Sequence, residues 1–234
     1  MLNSTLRLKI QQRLNKLSSQ DYDNIECWQI VEAFNKAQIE WSRRQIMGRN
    51  MAEAGAEQTV RKVDDIQNLL TVVNLTSIQA DGFYQTAPLP DDYLEYHKVD
   101  ISASKDCCPD DKKMIVYLAE EQNSSILLRD ELRKPNFEWA ETFCTVIDNT
   151  IRVYTNNDFE ISDVKLLYYR QPTKIQIINC GNPYTGGISG IDVPCEFRDD
   201  IAEILVDAAA SIIAGDIESF NQYTRTSQQS ETNT

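Results

Sequence analysis

His97 is the only histidine in a chain of 234 residues, so any triad, imidazole-bearing metal cluster or histidine acid–base scheme has to pass through it. It lies in a strand-like run, Leu94–Ile101, beside Glu95 and Asp100. A Cys–His pair with Cys107 or Cys144 is arithmetically possible, but neither cysteine sits in a nucleophile motif. An exposed or hydrogen-bonded strand histidine is the plainer reading. The six cysteines, at 27, 107, 108, 144, 180 and 195, form no CxxC pair, and the adjacent Cys107 and Cys108 do not easily share one disulfide. Free thiols are expected in preference to a disulfide scaffold. Asp91–Asp92 and Asp110–Asp111 read as solvated turn acids, because nothing resembles the spaced oxygen ligands of a calcium loop. "GNPYTGGISG" lacks the Gly-Lys-Ser/Thr end of a Walker loop and the spacing of GxGxxG. No cofactor and no metal are expected.

One basic-aromatic cluster remains. "WSRRQIMGR" places Arg43, Arg44 and Arg49 beside Trp41, which could track a nucleic-acid backbone. Positive charge at a helix end also has a dipole reason of its own, and that reading is preferred. "NST", "NLT" and "NSS" match the glycosylation tripeptide but carry no weight without a secretory signal.

The elements that must position these residues follow from composition and period. A 41% hydrophobic content supplies a core, and 25% charged residues supply a soluble surface. No apolar run is long enough to cross a bilayer, and the leucines at the start are interrupted by Arg7, Lys9 and Arg13. Synthesis in a reducing cytoplasm is expected. The net charge of −13 disfavours general nucleic-acid or acidic-membrane binding, but it is unevenly spread. Residues 1–20 carry four basic side chains and no acid, whereas 196–220 carry seven acids against Arg198 alone. Such a chain could pair end to end with its own copies, or simply present two solvated helix faces of unlike sign.

Leu6, Ile10, Leu14 and Leu17 recur at helical spacing. "DNIE" has the form of a capping box, and Cys27, Ile30, Phe34, Ala37 and Trp41 then predict a helix to about Met47. "TVRKVDDIQNLL" predicts a third, capped by Thr59, with Val60, Val63, Ile66 and Leu70 on one side. "MIVYLAE", "TFCTVI" and "DVKLLYYRQ" predict strands, and Asp148–Asn149 predicts a two-residue hairpin turn. "SSILLRDELRKP" reads as a helix or turn between strands, and residues 180–194 as a loop. The strongest helix spans "CEFRDDIAEILVDAAASIIAGDIESF", where only Asp200, Glu203, Asp207 and Ser211 form a polar stripe; such a helix is buried between partners. The last stretch, "NQYTRTSQQSETNT", is too polar to fold alone.

"LPDDYL" (Leu89–Leu94) followed by a strand, and "LLYYRQPTKI" (Leu166–Ile175), resemble the leucine-proline and Tyr-Tyr-Arg signatures of tailed-phage head-to-tail adaptor proteins. These include the tail tubular proteins of short-tailed phages and the portal-proximal ring proteins of crAss-like phages. An Ala- and Ile-rich helix after Pro194 and Glu196, followed by a polar tail, fits the same order. Ser102–Pro135 and the basic N-terminal segment have no counterpart in the pattern.

The expected fold is α+β: terminal helices forming a helical bundle with a central antiparallel sheet. The expected parts are a helical segment 1–76, a sheet region 77–180, a Gly-rich loop and C-terminal helix 181–220 packing on the N-terminal helices, and a tail 221–234 that orders on assembly. The resemblance implies a structural virion protein and no enzyme: a dodecameric ring beneath the portal that extends the channel for double-stranded DNA and meets the next tail ring. Arg7, Lys9 and Arg13 facing Asp200, Glu203 and Asp207 of a neighbour are the expected ring contact, with Tyr223 and Arg225 of the tail also at interfaces. Arg43, Arg44 and Arg49 are candidates to face the lumen. The alternatives are a small intracellular enzyme centred on His97, or a soluble protein-binding adaptor.

Overall fold

A computed structural model describes residues 1–15, 25–47, 64–106, 108–182, 187–216 and 228. The chain divides into two compact units, Met1–Asn68 with Pro172–Thr234, and Leu69–Gln171. The sequence reading set its sheet region at 77–180 instead.

The first unit is helical. Helix α1 (Asn3–Asn15) buries Leu6, Ile10 and Leu14. Helix α2 (Cys27–Met47) buries Ile30, Phe34, Ala37 and Trp41, the stripe that its spacing predicted. The last helix of the chain buries Ile201, Ala202, Leu205, Val206, Ala209 and Ile213 over Asp199–Asp216. It packs against both α1 and α2, which barely touch one another. The partners its broad apolar surface calls for are therefore helices of the same chain. The expected helical bundle is not what forms: α1 offers one narrow apolar stripe, which the last helix already covers, and the protein is dominated by its sheet.

The second unit is an eight-stranded curled half-barrel. Its strands are β1 (Leu70–Leu75), β2 (Ser77–Ala80), β3 (Phe83–Thr86), β4 (Tyr93–Lys105), β5 (Cys108–Leu118), β6 (Glu141–Ile147), β7 (Thr150–Tyr154) and β8 (Glu160–Arg170). The order is β1-β8-β4-β5-β6-β7-β3-β2. β1 and β2 sit at opposite ends of that order yet are separated only by Thr76, so the sheet must curl until its two ends approach. Leu70 opens β1 where a helix was expected; residues 64–66 are helical and 67–69 form a 3-10 turn, while 59–63 lie outside the described residues. Val72 and Val73 explain the outcome, since β-branched side chains favour the extended chain.

The sheet is mixed, not antiparallel as expected. The first part of β5 pairs antiparallel with β4, and Ile115–Leu118 then pair parallel with Glu141–Cys144 of β6. Parallel neighbours need a long crossover, and residues 119–140 supply it. This crossover carries a 3-10 turn at Glu121–Asn123 and helix α3 (Ser124–Arg129). The β6–β7 hairpin turns as predicted, with Asp148 and Asn149 both at positive φ, 47° and 57°. Val99, Ile101 and Ala103 of β4 and Val164, Leu166 and Tyr168 of β8 alternate into one core with Met114, Cys144, Ile151 and Val153.

In the first unit the segment after β8 returns to the helices. Cys27, at the start of α2, forms a disulfide with Cys180, with Cα atoms 5.6 Å apart. This corrects the expectation of free thiols: residues 153 apart in sequence are neighbours in the fold, which no local spacing could announce. Cys144 and Cys195 are free and buried, and the side chains of Cys107 and Cys108 lie outside the description. Two short strands, β9 (Gly181–Asn182) and β10 (Gly187–Ile188), follow, and the final helix is α4 (Asp199–Asp216).

A Cys180→Ser variant should lose about 2–4 kcal/mol of unfolding free energy, as for a native cross-link closing a long loop. Urea unfolding with and without reductant measures it; an identical midpoint in variant and oxidised parent would contradict the bond.

Candidate interaction surfaces

The two motifs that carry the resemblance meet in space. Tyr93 N–H donates to the Pro90 carbonyl at 3.0 Å, closing the tight turn that aims β4. β4 then pairs with β8 so that Tyr93 opposes Arg170 and Tyr96 opposes Tyr168. Tyr168 Oη donates to Asp92 Oδ1 at 2.9 Å, its ring stacks on Tyr93 at 5.8 Å, and Gln171 N–H donates to the Asp92 carbonyl at 2.6 Å. Tyr96 Oη lies 3.7 Å from Cys144 Sγ. These tyrosines lock one strand pair from the inside.

His97 sits at a register shift of β4 and is exposed, with its ring edge-on to Tyr169 at 5.4 Å. Cys144 is turned into the core against Tyr96, and burial pushes its thiol up to about 11, which works against the thiolate that a nucleophile needs. His97 and Cys144 are not brought together, and the alternative partner Cys107 lies outside the described residues. Asp91 and Asp92 are exposed turn acids. Among the described residues no group of three metal-ligating side chains occurs.

The charges expected to join neighbouring copies meet within one chain. Lys9 pairs with Glu203, and Arg13 bonds Asp207 at 2.6 Å and reaches Glu203 at 3.9 Å. Asp207 is buried, so the polar stripe of α4 is partly a contact with α1. Arg7 is exposed with no ion-pair partner among the described residues, and Asp200 pairs with Arg198. Arg43 and Arg44 are exposed on α2, where Arg44 approaches Glu40 at 4.0 Å. Arg49, Tyr223 and Arg225, with the rest of the tail 221–234 apart from Gln228, lie outside the described residues.

Sequence reasoning missed two apolar surfaces. The first is a groove of about 750 Å³ between β5, β6 and the crossover. Tyr117, Leu118, Ile126 and Leu132 on its wall are 51–72% exposed. Helix α3 has the sequence SSILLR and buries none of its residues. The crossover is nevertheless pinned: Tyr154 Oη donates to Glu121 at 3.0 Å, Arg152 approaches Glu121 at 3.7 Å, and Lys112 donates to the carbonyls of Phe137 and Glu138. The apolar runs "MIVYLAE" and "SSILL" are the available signal: their spacing predicts a strand and a helix or turn, and says nothing of which side chains stay exposed.

The second surface lies in the helical unit, on the loop between Ile177 and Val193. Ile178, Ile188 and Ile191 are 53–73% exposed on it. Its base is held at three places. Asn35 of α2 accepts from Ile175 N–H at 2.8 Å and donates to the Ile175 carbonyl at 3.3 Å. Asn3 of α1 donates to the carbonyls of Gln176 and Val193, each at 2.9 Å, and the disulfide fixes Cys180.

No protein-family model matches the chain, and no curated protein matches its sequence.

The strand pair sets an alkaline limit. Burial first, then neighbouring negative charge, pushes Tyr93 up to about 12; burial and then Asp92 do the same for Tyr168, and burial raises Tyr96 further. Groups whose folded pKa is raised stabilise fully below the unfolded value and lose that stabilisation as pH climbs through the folded one. Thermal stability should therefore hold at neutral pH and fall between about pH 9 and 12. Ultraviolet titration should show phenolates of these three appearing together with unfolding. Their titration near the free-tyrosine pKa in an intact fold would contradict the packing described.

Proposed function

We propose that this chain is a structural virion subunit, a head-to-tail adaptor that forms a ring beneath the portal, and that it has no catalytic role. The observation that carries this reading is the presence of two unlike apolar surfaces, the crossover groove and the exposed Ile178, Ile188 and Ile191. Full burial of one Leu or Ile side chain contributes about 1.5–3 kcal/mol, so several side chains left in water favour association with other polypeptides. Unlike surfaces on one subunit suit head-to-tail contacts, which close into rings. The order of the "LPDDYL" and "LLYYRQP" motifs supports the adaptor class by resemblance, and that resemblance implies twelve copies, a portal above and another tail component below.

The charge distribution is compatible with this role. An acidic chain avoids tight contacts with phosphates, and a channel wall must let double-stranded DNA slide. Arg43 and Arg44 are proposed to face the lumen, where their small number keeps the salt-dependent attraction modest. The tail 221–234 is proposed to order on the assembled complex, at a conformational cost that its contacts must offset.

Electron microscopy of the purified protein mixed with its portal tests the reading. Closed rings seated on the portal are expected. A chain that remains a monomer and leaves the portal bare at high concentration would overturn it.

A further inference from the structure

We propose that the ring contact is a specific insertion: the isoleucine loop of one copy seats in the crossover groove of the next. This rests on the ring reading above and names the surfaces that make it. The occupant is a second copy because each surface supplies what the other lacks. Ile178, Ile188 and Ile191 have no charged neighbour between Ile175 and Ile191 in the sequence, so they enter an apolar groove without a charge to desolvate. Ile178, Ile188 and Ile191 project from it, and Tyr117, Leu118, Ile126 and Leu132 offer exposed apolar wall.

The polar rims match as well. Glu120, Glu141 and Arg133 border the groove, with Arg133 drawn to Asp130 at 3.9 Å; among the described residues Glu120 receives the side-chain amides of Gln122 and Asn123, and Glu141 receives Tyr117 Oη at 3.4 Å. Neither glutamate has a cationic partner among the described residues. Lys174, two residues before Gln176 at the loop base, is exposed and likewise has no carboxylate partner among them. Seating the loop brings an unmatched lysine toward two unmatched carboxylates.

Preorganisation favours the same direction of insertion. The loop base is clamped by Asn3, Asn35 and the Cys27–Cys180 disulfide, so little conformational freedom is lost there on docking. The wall of the groove is held by Glu121 and Lys112. One loop in one groove is small beside the roughly 1,200–2,000 Å² of a stable independent interface. The contact therefore gains its strength from ring closure, where each subunit is held on two sides.

Ile188 and Leu132 are 73% and 72% exposed, so Ile188→Asp and Leu132→Asp leave the fold intact, which circular dichroism and thermal midpoint verify. Sedimentation velocity of the unaltered chain should show rings, and each variant alone should associate at least about tenfold more weakly. The two variants mixed retain one intact loop and one intact groove between them, and should give no ring, only a weak heterodimer that grows no further. Rings formed equally well by either variant alone, or by the two variants mixed, would overturn the insertion while leaving the adaptor reading in place. An unaltered chain that stays monomeric both alone and with portal present would overturn both.

Discussion

The antiparallel ladder between β4 and β8 is the interaction on which the sheet unit depends. These strands sit next to each other in the order β1-β8-β4-β5, and their inward residues Val99, Ile101, Val164 and Leu166 supply the middle of the core. The ladder is started by the Pro90 turn and latched by Asp92, which accepts from Tyr168 and whose carbonyl receives Gln171. Register follows from this latch. A one-residue slip would turn the apolar set of β4 outward. The residues that look most distinctive in the sequence are thus committed to internal structure, and association falls to other surfaces.

Those surfaces arise where the chain departs from the simplest path. A parallel β5–β6 pair obliges the chain to cross over, and the crossover leaves α3 lying over the sheet without burying any of its residues. The chain's return to the helical unit after β8 produces the stapled isoleucine loop. Both are by-products of topology that remain apolar, although a chain with 36 acidic residues has no shortage of polar side chains to place there. Charge is used differently: Lys9 and Arg13 meet Glu203 and Asp207 across α1 and α4, joining segments nearly two hundred positions apart. The sign asymmetry between the two ends of the sequence is largely an intrachain attraction.

Local signals were legible and long-range ones were not. The stripes Leu6–Ile10–Leu14 and Ile30–Phe34–Ala37–Trp41 predicted helix faces because a helix repeats its buried side every three or four residues. Asp148–Asn149 predicted its turn because those two residues tolerate positive φ. The β1–β3 strands were hidden by short length and by helix-compatible residues just before them. The parallel pair and the disulfide each depend on distant partners, which one sequence read in isolation does not reveal. The candidate site divides the same way: Arg7, Lys9 and Arg13 were expected to face Asp200, Glu203 and Asp207 of a neighbouring copy, whereas Lys9 and Arg13 meet Glu203 and Asp207 within one chain, a question of topology.

Hydrogen–deuterium exchange of the full chain, free and mixed with the proposed portal partner, addresses the central claim that these apolar surfaces exist to meet other polypeptides. The account predicts slower exchange on assembly at 115–118, 124–132 and 187–191, with the β4–β8 ladder already protected in the free chain. Assembled particles in which those three segments exchange as fast as in the isolated subunit would contradict it.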